Sequence, residues 1–137
     1  MPPDRFGPND PREWLRRADS NLVQAQRSAP GICLEDLCFQ AQQAAEKAVK
    51  ALLIARGQRP PHTHSLTVLF DLLRQGGVDV PEETMRTVRL NDYAVETRYP
   101  GLFEPVAEED YREALDLALR CVEWVRQALA GPGAHEA

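Results

Sequence analysis

The sequence predicts an all-α protein, an antiparallel up-and-down bundle of four to five helices. Three observations predict it. Apolar residues recur at alternating spacings of four and three over two long segments, 34–56 and 108–129. The links between helical segments are short and rich in Gly and Pro, so consecutive helices return antiparallel. No stretch alternates with period two for long enough to demand a strand.

The first helix is expected from Pro11 or Arg12 to about Ser28. Asp10 is its N-cap and Pro11 occupies the first helical position. Leu15, Ala18, Leu22 and Ala25 form one apolar face flanked by Trp14, and Pro30-Gly31 ends the helix. The second helix, about Leu34 to Arg56, carries Leu34, Cys38, Ala41, Ala45, Ala48, Leu52 and Ala55 on its stripe. Leu37, Ala44 and Ala51 add a second row. Alanine has the best helix propensity and lets neighbouring helices approach closely. The opposite face, Gln42, Gln43, Glu46, Lys47 and Lys50, reads as solvated, with Gly57 as terminator.

After the loop 57–64, a third helix runs from Leu66 to Gln75, with Thr63 or Ser65 as N-cap and Gly76-Gly77 at its end. Leu66, Leu69, Phe70 and Leu73 are its inner residues. A fourth starts at Pro81, with Glu82 and Glu83 at the positive end of the dipole. It turns irregular near Asn91-Asp92 and stops before Pro100. The fifth, about Glu108 to Leu129, buries Tyr111, Leu115, Ala118, Val122, Val125 and Leu129, with Ala114, Cys121 and Ala128 in a second row. Asp116 and Arg120 form an i,i+4 pair on its outer face. Residues 1–11 and 131–137 are expected as flexible tails around a domain over 12–130.

The bulk composition fits one domain: 137 residues, 43% hydrophobic and 27% charged, leave enough apolar surface for one core. No apolar run approaches the roughly 18 residues of a membrane span, and residues 1–5 lack an apolar leader region. A cytoplasmic location is the expectation. Three cysteines then read as free thiols, Cys38 and Cys121 as small core hydrophobes. The net charge of −5 argues against a strong nonspecific grip on nucleic acid. Residues 47–98 are the exception, with eight Lys or Arg against six Asp or Glu.

Three places hold chemistry-bearing side chains. The segment 91–101 gathers Asp92, Tyr93, Glu96, Arg98 and Tyr99, where a guanidinium suits a phosphate and a tyrosine suits a base. The competing reading is a structural cap in which Arg98 is tied to a carboxylate. The polar face of the second helix, Gln43, Glu46, Lys47 and Lys50, either lines a pocket for a phosphorylated ligand or is a solvated face with a Glu46–Lys50 pair. His62-Thr63-His64 falls short of the roughly four ligands of a zinc site, and His64 reads better as an organiser of the third helix. No phosphate-binding glycine loop, zinc-protease motif or serine elbow occurs, and no metal or cofactor is expected.

Cys38 to Leu53, followed by His64-Ser65-Leu66 and then by Tyr93 and Arg98-Tyr99-Pro100, resembles the HEPN domain family over about residues 12–130. The resemblance implies a helical bundle that commonly forms a homodimer with a cleft between protomers. It also implies a partner, a minimal nucleotidyltransferase protein, often in a toxin–antitoxin pair, and a nucleotide or RNA ligand. Active toxins of the family are metal-independent ribonucleases that use an Arg followed, after four to six residues, by a His. Arg98 matches that arginine, but Phe103, Glu104 and Pro105 stand where the histidine belongs. Phenyl and proline side chains transfer no protons. Arg56 to His62 and Arg59 to His64 meet the spacing, but in the loop after the second helix.

The leading reading is therefore a non-catalytic module that binds a nucleotide or a nucleotidyltransferase. Lys47, Lys50, Tyr93, Arg98 and Tyr99 are its candidate contacts, and Gln43, Glu46, His64, Asp92 and Glu96 support them. The alternatives are a ribonuclease toxin with an atypical site and a purely structural dimeric adaptor.

Overall fold

The computed structural model describes residues 6–94 and 105–135, with side chains described to Gly131. The described residues form helices and no strand. The helices are α1 (Pro11–Ala25), α2 (Leu34–Ala55), α3 (Leu66–Gln75), α4 (Glu82–Met85) and α5 (Glu108–His135), with a 3-10 segment over Arg86–Tyr93 between α4 and α5.

The caps explain most boundaries. Asp10 accepts from the Arg12 amide at 2.9 Å and Pro11 starts α1. Ser65, not Thr63, caps α3 through the Val68 amide at 3.3 Å. Gly57 takes φ 81° after α2, and the Gln58 amide turns back onto the Leu53 carbonyl at 2.9 Å. This left-handed residue closes a Schellman-type cap. α1 stops at Ala25, a turn short of Ser28. Ala29 precedes a proline and avoids helical geometry, so the chain unwinds upstream of it.

α2 is the central helix and packs against α1, α5, α3 and the 3-10 segment. Its alanines at 41, 44, 45, 48 and 51 are fully buried, as is Cys38. Ala55, expected on the stripe, is exposed. α5 buries Tyr111, Ala114, Ala118, Cys121, Val122 and Val125. It runs antiparallel to α1. The Tyr111 hydroxyl donates to the Ala25 carbonyl at 2.6 Å, and Arg126 pairs with Asp19 further along. Burial pushes the Cys38 and Cys121 thiols up to about 12, which keeps both neutral in the core.

Two expectations need correction. The fourth helix is not one α-helix from Pro81 onward but a single turn followed by 3-10 geometry. Thr84, Thr87 and Leu90 are all buried, and a strict spacing of three suits three residues per turn, not 3.6. The Thr87 hydroxyl donates to the Thr84 carbonyl at 2.6 Å and reinforces the tight winding. At the other end, helical geometry does not cease at Gly131. It breaks there, at φ 51° and ψ −179°, and resumes to His135, with Pro132 at a position that suits a helix start.

Candidate functional site

The polar face of α2 is internal. Gln42, Glu46 and Lys50 are buried although their residue types led the sequence reading to place them in water. A buried carboxylate and ammonium persist only when paired and hydrogen-bonded, and these are. Lys50 Nζ donates to Glu46 Oε2 at 2.9 Å. Gln42 Nε2 donates to Oε1 at 3.1 Å, and His64 Nδ1 lies 3.0 Å from the same oxygen. Burial pushes the Glu46 carboxyl up, but the hydrogen bonds from Lys50, His64 and Gln42 outweigh it and hold the carboxyl below its ordinary range.

Gln42 reaches further and donates to the His64 carbonyl at 3.2 Å. Asn91 receives the Leu66 amide at 2.7 Å and donates to the Thr67 hydroxyl at 3.1 Å. The turn into α3 is thus pinned from α2 on one side and from the 3-10 segment on the other. His64 does organise the start of α3, as its sequence position suggests. A carboxylate only accepts, so Nδ1 carries the proton toward Glu46. The His64 ring is 58% exposed, and among the described residues no hydrogen bond uses its Nε2.

Lys50 also lies beneath the indole of Trp14, 5.8 Å from its ring centroid. Trp14 Nε1 donates to the Pro8 carbonyl at 2.8 Å, so the strap before α1 folds back along the helix. Strap, α1, α2 and the loop after α2 enclose a cleft of about 440 Å³, lined by Pro8, Trp14, Lys50, Arg59, Pro61 and His62 among others. Its volume falls in the range of small-molecule sites. An aromatic plane and the nitrogen-bearing side chains of Arg59 and His62 equip it for an anion with a flat, stackable part.

The sequence-level candidates separate in space. Lys50, Glu46 and His64 form one cluster, with Gln43 at its margin, where Nε2 donates to Gln42 Oε1 at 2.7 Å. Lys47 lies elsewhere, turned to α1, where Nζ donates to Asn21 Oδ1 at 2.8 Å. Tyr93 is half-buried, and burial, followed by Cys38, Asp110, Asp92 and Glu113, pushes its hydroxyl up to about 12. Asp92 is exposed. Glu96, Arg98 and Tyr99 lie outside the described residues. Among the described residues no three His, Cys, Asp or Glu side chains are grouped as a metal ion would need, and no helix is long and apolar enough to cross a membrane. Trp14 and Arg59 were missed as cleft residues. Trp14 read as flanking an apolar face, and Arg59 as one end of an Arg-to-His spacing in the loop after the second helix. The sequence signal for the buried polar face was the uncharged run from Leu37 to Ala45. A helical stretch without charge for more than two turns packs on several sides.

Residues 11–128 match the family model of the HEPN domain. The chain belongs to the HEPN domain family. The crystal structure of TT1696 from Thermus thermophilus is similar at 39% identity and a TM-score of 0.74, over 86% of this chain and 97% of that one. ST0689, an archaeal HEPN homologue, is similar at 28% identity and a TM-score of 0.69, over 88% and 98%. No curated protein matches the chain. In this HEPN domain Gln42, Lys50 and His64 form one connected polar network, joined through Glu46.

Proposed function

We propose that this HEPN domain is a non-catalytic nucleotide-binding module that forms a homodimer and serves a minimal nucleotidyltransferase partner. The observation that supports the nucleotide is the cleft in which Trp14, Lys50, Arg59 and His62 meet. The indole stacks on the base, and Arg59 and His62 face the phosphates. Lys50 is held by Glu46, so it fixes the floor of the cleft and does not itself neutralise ligand charge. Arg98 is a further phosphate contact in this reading, on the sequence alone. The homodimer and the partner rest on the family resemblance. The experiment is a titration with nucleoside mono-, di- and triphosphates, followed by calorimetry and by tryptophan fluorescence in a Trp124→Phe background, where Trp14 alone emits. Saturable quenching is expected, with affinity reduced about tenfold in Arg59→Ala by loss of one charge-assisted contact. Heats indistinguishable from dilution for every nucleotide would remove the reading.

One observation favours a second reading, a metal-independent ribonuclease with an atypical site. The pair Glu46–His64 presents an imidazole whose orientation is fixed by a buried carboxylate and whose other nitrogen meets solvent. That is the arrangement of a general base. Cleavage of RNA in the presence of a chelator, lost in His64→Ala and retained in Arg98→Ala, is the outcome that separates it from the first reading.

A further inference from the structure

On the α1 side of α2 a second concavity of about 380 Å³ is lined by Arg16, Arg17, Ser20, Asn21, Gln24 and Lys47. It shares no residue with the Trp14 cleft. Three cations line it and, among the described residues, no carboxylate does, in a chain of net charge −5. Glu13, in the first turn of α1, accepts from Arg16 Nη2 and from Arg17 Nε at 2.7 Å each. It fixes both guanidiniums. Among the described residues no hydrogen bond uses the Nη groups of Arg17.

Lys47 is the unusual member. Its ammonium is partly withdrawn from water, and its hydrogen bond goes to a neutral oxygen, Asn21 Oδ1. The Asn21 amide cannot turn away, because its Nδ2 donates to Gln40 Oε1 at 2.6 Å. The carboxylate that acts on Lys47 is Glu46, whose oxygens are already occupied by Lys50, His64 and Gln42. Arg17 and Lys50 repel it. A half-desolvated ammonium held beside two guanidiniums lacks its counter-charge. On the same rim the Gln24 amide donates to the Ser20 carbonyl at 3.3 Å and to the Ser20 hydroxyl oxygen at 3.4 Å, which leaves the Ser20 hydroxyl proton and the second amide proton as neutral donors.

We propose that this notch is a phosphoryl site, in which Lys47 and Arg17 hold a phosphate dianion and Ser20 and Gln24 complete its hydrogen bonding. The shared chemistry is a tetrahedral dianion, carried either by free inorganic phosphate or by the terminal phosphate of a phosphomonoester. The site does not depend on the Trp14 cleft.

The test is a titration of the isotope-labelled full chain with inorganic phosphate and, separately, with ribose 5-phosphate, against sodium chloride at equal ionic strength. Amide shifts of Ser20, Asn21 and Gln24 are read. Saturable shifts that chloride does not reproduce are expected, weakened about tenfold in Lys47→Gln, which keeps a donor for Asn21 but removes the charge. Arg17→Gln, at an exposed side chain, weakens them as well and serves if Lys47→Gln fails to fold. Tighter binding of ribose 5-phosphate identifies the phosphomonoester as the ligand, and equal binding identifies free phosphate. Trp14→Ala leaves these shifts in place, so failure of the nucleotide cleft and failure of this site are separable. Shifts that stay linear and match chloride overturn the site, as do saturable shifts that Arg17→Gln leaves unchanged.

Discussion

Two ion pairs in this molecule have the same spacing and the same length. Glu46–Lys50 on α2 and Asp116–Arg120 on α5 are both i,i+4, and both close at 2.9 Å. In the sequence they read alike, as helix-surface pairs. In the structure their side chains are 5% and 9% exposed in the first, 58% and 73% in the second. Burial changes what the pair is. On α5 the charges remain solvated and their attraction is screened. On α2 each charge has lost most of its water, and the partner, with Gln42 and His64, replaces it. The exposed pair can come apart at little cost, whereas the buried pair joins α2 to the start of α3.

The largest expected effect follows from breaking the buried member. Glu46→Ala leaves the Lys50 ammonium buried without a counter-charge, and we expect a loss of about 3–5 kcal/mol in denaturant unfolding. A loss below about 1 kcal/mol would mean that water reaches Lys50. The same carboxylate has a pH signature. Its folded pKa lies below the ordinary value. Its contribution is therefore complete above the unfolded glutamate pKa of about 4.3 and disappears as the pH falls through the folded value. Compared in a His64→Gln background, where no imidazole faces the carboxylate, the stability difference between Glu46 and Glu46→Gln should hold constant from pH 7 to about 5 and close only below about 4.3. Closure beginning near pH 6 would show that burial outweighs the hydrogen bonds.

A smaller effect separates the polar and apolar faces of α2. Ala48 is fully buried between Lys47 and Val49 in the sequence but faces the core. Ala48→Leu adds volume where close packing leaves none, for an expected loss of about 1–3 kcal/mol. The melting temperature should fall without loss of helical signal. An unchanged melting temperature would indicate an unfilled space beside the helix.

The stripes of α2 and α5 were legible because a spacing of four and three over many turns fixes one face. The caps at Asp10, Ser65 and Gly57 were legible because single residues carry that chemistry. The polar face of α2 was not. Periodicity says which residues share a face, and only the number of neighbouring helices says whether that face meets water. The 3-10 segment was missed because Thr84, Thr87 and Leu90 fit a period of three that a helical window reads as 3.6. Of the site, Glu46, Lys50 and His64 were named from the sequence and do come together. Trp14 and Arg59 join them only because the strap and the loop after α2 fold over the same end of the bundle, and such long-range folding leaves no local spacing to read.

The smallest effect completes the comparison. Asp116→Ala makes the same truncation as Glu46→Ala, at the same helical spacing. It removes an attraction of about 0.3–0.5 kcal/mol between exposed charges. It also replaces aspartate, a weak helix former, with alanine, a gain of up to about 0.7 kcal/mol at an exposed helical position. The two terms oppose each other, and the net change in urea unfolding should lie within about 0.5 kcal/mol of zero. Raising the salt to about 1 M screens the lost attraction in the wild type, so the variant should then match or exceed it. A loss above about 1.5 kcal/mol at low salt would require Asp116 to hold a partner other than Arg120, and burial would no longer be what distinguishes the two pairs.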